Sequence, residues 1–212
     1  VTVLLEVRPA GDRALLLLPT SGGKGVDAVV DQLRGAAVAG LQDVLPAAET
    51  VLVTLDGSVD SATVEQRLQR LLEDASSAPP PDPRHTEPVT IAVRYDGADL
   101  DDVARHLGTS TEDVVVRHTG RVWRCRFIGF TAGFGYLESE GDDLTVPRRE
   151  AARTAVPAGA VALADGYSAV YPRRSPGGWQ LIGTTDAPMW DLDRDRPALL
   201  APGTLVRFVG AD

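Results

Sequence analysis

Residues 76–88 read SSAPPPDPRHTEP. Five prolines in thirteen residues exclude a helix interior or a central strand, because proline lacks the backbone donor and clashes with the preceding turn. The stretch reads as a semi-rigid, extended connector. It divides the 212-residue chain into a domain at 1–75 and a domain at 89–212. Either length is enough for a small folded domain.

Upstream of the connector the pattern is β-β-α-β-α. Val1–Arg8 and Ala14–Leu18 flank the turn signal Ala10-Gly11-Asp12 and read as a hairpin. Val26, Val29, Val30, Leu33 and Ala37 recur at helical spacing, with Gly40 as the stop. Thr50–Asp56 alternates as a strand. Asp60 or Ser61 caps a second helix whose inner face is Val64, Leu68, Leu71 and Leu72. Two amphipathic helices over a few strands give a small α+β layer. The segment has no histidine and no cysteine, and nothing in it reads as catalytic.

Downstream, Val89–Tyr95 is a strand. Leu100, Val103, Ala104 and Leu107 share a helical face that Gly108 ends. Ser110 and Asp113 resemble a capping box at the start of a second short helix. Leu107–Thr111 has the outline of a helix-turn-helix. Glu112 and Asp113 would repel phosphate there, so a helical hairpin packed on a barrel is the better reading. After Gly120 short strands alternate with Gly and Pro: Val122–Ile128, Ala160–Leu163, Ala169–Tyr171, Gln180–Thr184 and Leu205–Val209. Such a run suggests a barrel or sandwich. Cys125 shares strand parity with Trp123 and Phe127 and reads as core.

Composition narrows the function classes. The chain carries 21 basic and 30 acidic residues, a net charge of −9. That argues against a nucleic-acid binder, which needs a cationic surface. One cysteine allows no intrachain disulfide and no cysteine-based zinc cluster. His85, His106 and His118 are too scattered to suggest a metal site. No apolar run approaches the ~20 residues that span a bilayer. Val1–Pro9 lacks a basic n-region, so the expected compartment is the cytoplasm. Gly22-Gly23-Lys24-Gly25 lacks the spacing of a phosphate loop.

Four features could carry chemistry. Phe130-Thr-Ala-Gly133-Phe134-Gly135-Tyr136-Leu137 is either a ligand-facing turn with aromatic walls or a bulge with core aromatics. Ser175-Pro176-Gly177-Gly178-Trp179-Gln180 either turns backbone N–H groups toward an anion or makes a tight turn with a packed Trp. Pro147-Arg148-Arg149 and Arg153 form a basic island in an acidic chain, suited to a carboxylate or phosphate, or else solvated. His118 is the best acid/base candidate by its ordinary pKa.

Taken in order, these clusters resemble a known family. Asp99-Leu100…Val103-Ala104, His118, Gly129-Phe130-x-x-Gly133-Phe134-x-Tyr136-Leu137 and Pro147-Arg148-Arg149…Arg153…Val156-Pro157-Ala158-Gly159 fit it. So do Tyr171-Pro172…Ser175-Pro176-Gly177-Gly178-Trp179…Ile182-Gly183-Thr184-Thr185 and Pro202-Gly203…Val206-Arg207-Phe208. In the first domain, Gly11-Asp12-Arg13-Ala14-Leu15 and Asp43-Val44-Leu45-Pro46-Ala47 match as well. The chain is thus similar to the family of 5-oxoprolinase B-subunits, also called allophanate hydrolase subunit 1 or the Kip-inhibitor family.

The resemblance implies a small ferredoxin-like α+β domain followed by a cyclophilin-like β-barrel. It implies two partners, the C-subunit (allophanate hydrolase subunit 2) and the A-subunit of the same enzyme. Together these open 5-oxoproline to glutamate, with ATP consumed at the level of the complex. Alternatives within the family are inhibition of a histidine kinase and a carboxyltransferase role in biotin-dependent urea metabolism. On this reading Phe130, Gly133, Phe134, Tyr136, Pro176, Gly177, Gly178 and Trp179 bind a small amide substrate. His118, Arg148 and Arg153 are catalytic. Departures from the family pattern are Ala132 for a proline, Ala152 before Arg153, and Thr184 where an arginine is usual.

Overall fold

A computed structural model describes residues 5–20, 23–74, 87–141 and 143–211. The connector expected at 76–88 lies outside them except for Glu87 and Pro88, as do Val1–Leu4 and His85. The chain divides into two compact units, Val1–Arg84 and His85–Asp212.

The first unit holds β1 (Leu5–Pro9), β2 (Ala14–Pro19), α1 (Gly23–Gly35), β3 (Leu41–Pro46), β4 (Val51–Leu55) and α2 (Ser61–Asp74). Its sheet is antiparallel in the order β1-β2-β4-β3. Strands β2 and β4 alternate buried and half-buried residues, as a sheet covered on one face requires. The helices supply Val26, Val29 and Leu33, and Val64, Leu68 and Leu72, to the core beneath them. Asp60 is the helix cap: its Oδ1 accepts from Thr63 N at 2.9 Å. Strand β3 is an addition to the expected pattern. Its burial is irregular, so no period of two marks it.

The second unit opens with β5 (Val89–Val93), α3 (Leu100–Leu107) and α4 (Thr111–Thr119). Strands β6 (Trp123–Ile128), β7 (Gly135–Glu138), β8 (Arg153–Val156), β9 (Ala160–Ala164) and β10 (Tyr167–Val170) follow. The last are β11 (Ser175–Gly177), β12 (Gln180–Thr184) and β13 (Leu205–Gly210). Seven of these strands form one sheet in the order β12-β9-β10-β7-β6-β13-β5, while β11 and β8 pair separately. Among the described residues, only β13 and β5 run parallel.

The two edges of the large sheet meet. Arg94 and Thr184 exchange backbone hydrogen bonds of 2.8 Å each, so the sheet is a nearly closed barrel. Closure needs a glycine at 97: a Cβ there would sit 2.3 Å from the Ile182 carbonyl carbon.

Two cores fill this unit. One gathers Ile91, Trp123, Cys125, Leu137, Leu163, Ile182 and Phe208 under α3 and α4. The other gathers Phe134, Ala162, Ala169, Tyr171 and Trp179. The barrel's strand β9 is buried throughout, which is why Ala160–Ala164 reads as an unbroken apolar run. Ser110 caps α4 by accepting from Asp113 N at 3.1 Å. The Asp113 carboxylate takes the Thr109 hydroxyl at 2.7 Å instead of returning to the cap's backbone. No helix among the described residues is long and apolar enough to cross a membrane.

Candidate functional site

Strand β7 and the turn before it carry Phe130, Phe134 and Tyr136. Strand β10, β11 and the residues after them carry Tyr171, Pro176, Gly177, Gly178 and Trp179. The fold brings these together. Phe134 meets Tyr136, Tyr171 and Trp179 edge-to-face at 5.1–5.4 Å between ring centres. Phe130 meets Phe134 at 5.4 Å, and Tyr136 meets Trp179 at 5.5 Å. Such edge-to-face pairs place positive ring edges on negative faces.

The rings do not all line an open pocket. Phe134, Tyr171 and Trp179 are buried, so they form the floor. Phe130 is 60% exposed and Tyr136 half-buried, so these two reach the surface. Phe130 also has a φ of 61°, a left-handed conformation that costs a side-chain-bearing residue energy. Gly133 faces away from the rings: its Cβ direction points at Met189 O and Trp190 Cβ. Gly177 is needed because the Tyr171 hydroxyl lies where its Cβ would be, 2.2 Å away. Ser175–Gly177 is strand β11, and only Gly178 and the buried Trp179 link it to β12. Pro176 is exposed on β11, and Gly178 rests against Ala152 and gives its carbonyl to Arg149 N at 2.7 Å.

The arginine island borders this cluster. Burial raises the pKa of the Tyr136 and Tyr171 phenols, and the charge of Arg148 partly offsets it at both. Arg148 itself is exposed and pairs with Asp165 at 2.9 Å. It does not join Arg153, as the sequence reading expected. Arg153 instead joins Arg149 on a single carboxylate: Asp99 Oδ1 accepts from Arg149 Nη1 at 2.5 Å and from Arg153 Nη2 at 2.7 Å.

Asp99 is the residue that sequence reasoning missed. It stands at the N-cap position of α3, yet its carboxylate makes no cap bond. Oδ2 accepts from Leu181 N at 2.7 Å, while Asp99 N donates to Leu181 O at 2.9 Å. Asp99 thus pairs with β12 like a short strand and clamps both arginines. Burial opposes its ionisation, but the hydrogen bonds from Arg153 and Leu181 and the two nearby guanidinium charges outweigh that. Its carboxyl titrates below the usual range. The only available signal was Asp99-Leu100 within the family pattern, which a helix cap explains equally well.

His118 lies elsewhere, and the acid/base expectation fails on its environment. The ring is fully buried and stacked on Phe208 at 4.4 Å. Its nitrogens bond Tyr95 Oη at 2.8 Å and Ser168 Oγ at 2.9 Å, leaving neither for a substrate. Burial, with a smaller push from Arg121, lowers its pKa to about 3. No ring contact links it to the aromatic cluster among the described residues. Cys125 is buried, and burial pushes its thiol up to about 12, which fits the core reading.

The arrangement is a buried aromatic floor with the exposed Phe130 and half-buried Tyr136 rings, with Arg148 on Asp165 and, separately, Arg149 and Arg153 on Asp99. The family model for the carboxyltransferase domain, subdomain C and D, matches residues 5–200. A protein of Escherichia coli O157:H7 named as the 5-oxoprolinase B-subunit is 46% identical over 147 residues, 68% of this chain and 66% of that protein. The Haemophilus influenzae protein of the same name is 38% identical over 157 residues, 74% of this chain and 73% of that one. Among solved structures, TTHA0988 superposes with a TM-score of 0.75 at 35% identity, covering 98% of this chain and 41% of that chain. The match thus spans just under two thirds of the Escherichia coli protein and less than half of TTHA0988. Sequence, fold and relatives agree that the chain belongs to the carboxyltransferase-domain family, subdomains C and D, whose curated members here are named as 5-oxoprolinase B-subunits.

Proposed function

We propose that this chain is the B-subunit of an ATP-dependent 5-oxoprolinase, acting in the cytoplasm with homologues of the A- and C-subunits. The observation that carries the reading is the 35–46% identity to proteins named as 5-oxoprolinase B-subunits over about two thirds or more of this chain. The fold reading that goes with it has a ferredoxin-like first domain and a cyclophilin-like barrel. The sheet order β1-β2-β4-β3, with helices after β2 and β4, and the nearly closed seven-stranded sheet support it.

The reaction sets the demands on the site. Water adds to the lactam carbonyl carbon, the C–N bond breaks, and the freed nitrogen takes a proton to give glutamate. A five-membered lactam keeps its amide resonance, so hydrolysis is coupled to ATP cleavage to ADP and phosphate in the complex. Phe130, Tyr136 and the rings beneath them would hold the flat lactam ring. The arginines would attract its anionic end and the negative charge that develops as the carbonyl is attacked. His118 would stabilise the barrel core rather than transfer a proton.

The test is co-expression with A- and C-subunit homologues and assay of ADP and glutamate release. Release that depends on this chain is expected. No turnover with any such partners, under conditions where a known 5-oxoprolinase works, overturns the reading. The family model's name favours a second reading, a carboxyltransferase component. Stimulation by a biotin carboxyl carrier would identify it.

A further inference from the structure

Three positions meet where α3 begins, β8 begins and β12 passes: Asp99, Arg149 and Arg153. Two guanidinium groups share one carboxylate oxygen, so the cluster carries one uncompensated positive charge. The Asp99 side chain is 2% exposed, whereas Arg149 and Arg153 are 32% and 24% exposed. The anion is inside and the cations are outside, each keeping a face at the surface. Asp99 engages one terminal nitrogen of each arginine. Arg149 Nε and Arg153 Nη1 are buried and bond no acceptor. A buried donor left unpaired is costly, and these two are sealed from solvent, so a ligand meets the partly exposed faces of the two guanidinium groups rather than these nitrogens.

Its position ties it to the aromatic cluster. Arg153 pairs with Gly177 across β8 and β11, and Arg149 N bonds the Gly178 carbonyl next to Trp179. The Arg153 charge reaches the Tyr171 phenol.

We propose that Arg149 and Arg153, held side by side by Asp99, are the anchor for the carboxylate of a small cyclic ligand whose ring rests on Phe130 and Tyr136. This rests on the 5-oxoprolinase reading for the ligand's identity, though not for its charge. One added carboxylate brings the cluster to two cations and two anions in alternation. Both arginines are already ordered, so less side-chain freedom is lost on binding. Asp99 touches no ligand; it is a positioning residue.

The test is calorimetric titration of the full chain with four probes: 5-oxoproline, cyclopentanecarboxylate, 2-pyrrolidinone and inorganic phosphate. The first two carry a ring and a carboxylate, the third a lactam without charge, the fourth a charge without a ring. Saturable binding of 5-oxoproline and cyclopentanecarboxylate is expected, weakened about ten- to a hundredfold in Arg149→Gln and Arg153→Gln, the loss of one charge-assisted hydrogen bond. Arg149→Lys should recover part of the loss. Asp99→Asn should weaken both carboxylates although it adds net positive charge, an outcome that simple charge attraction would reverse. If that variant does not fold, the two arginine variants decide the matter, because their side chains reach solvent. Failure of both carboxylates to bind, or affinities unchanged in both arginine variants, overturns the anchor. Binding of phosphate alone also overturns it. Binding of cyclopentanecarboxylate without 5-oxoproline upholds the anchor while the 5-oxoprolinase reading fails. Equal binding of 5-oxoproline and 2-pyrrolidinone, unaffected by either arginine variant, does the reverse.

Discussion

Phe130 holds a 60% exposed aromatic ring on a backbone with φ of 61°. One edge of the ring packs on Phe134, but most of it stays exposed and the left-handed backbone is strained. Phe130→Gly should therefore raise the unfolding free energy by about 1 kcal/mol in denaturant titration while weakening ligand binding. Loss of stability on that change would show that the ring is needed for packing.

His118 makes the opposite case. An unfolded histidine gains its proton near pH 6.5, and the buried one not until about 3. Between these values the unfolded state binds the extra proton, so stability falls as pH drops below about 6.5. The slope from this group alone reaches about 1.4 kcal/mol per pH unit. Asp99 and Asp143, whose pKa values are held low, add a further loss only where free carboxylates protonate. His118→Gln should lower stability at neutral pH and flatten the decline between pH 6 and 4. An unchanged decline in thermal or denaturant melts would rule His118 out as its source.

At the level of elements, regular amphipathic segments were legible and irregular ones were not. Strand β4 and helix α2 follow from a clean period of two and of 3.6, and both cap residues, Asp60 and Ser110, hold their helices as their types suggest. Strands β3, β8 and β11 are short or interrupted by a bulge or proline, and no sequence period survives that. The site divides the same way. The rings meet because β7 and the β11–β12 turn each carry a local cluster that sequence shows. The Arg149–Asp99–Arg153 clamp joins positions about fifty residues apart, which no local pattern can reveal. The turn at 97 adds a test of barrel closure. Gly97→Ala forces a methyl group into the β12 backbone and should cost roughly 3 kcal/mol. A variant as stable as the parent would mean that the edge strands close differently.

For the molecule as a whole, each unit has its own apolar core: one set of residues in Val1–Arg84 and two in His85–Asp212. The segment 87–212 should then fold by itself, with a cooperative melt and dispersed amide resonances. A collapsed, non-cooperative fragment would contradict the division. The family assignment extends over both units, whereas Phe130, Phe134, Tyr136, Trp179, Arg149 and Arg153 belong to the second alone. Net charge illustrates why averages mislead at this scale: the chain is acidic at −9, yet Arg149 and Arg153, which share one carboxylate, carry a net positive charge beside its aromatic cluster. We propose that this chain completes a 5-oxoprolinase. The most direct test is the rate of glutamate release from 5-oxoproline and ATP by A- and C-subunit homologues with and without it. Release should appear only when the chain is added, with ADP formed alongside, and should fall at least tenfold with Arg153→Gln. Equal release without the chain would contradict the account, and so would no release with it while a known enzyme turns over in parallel.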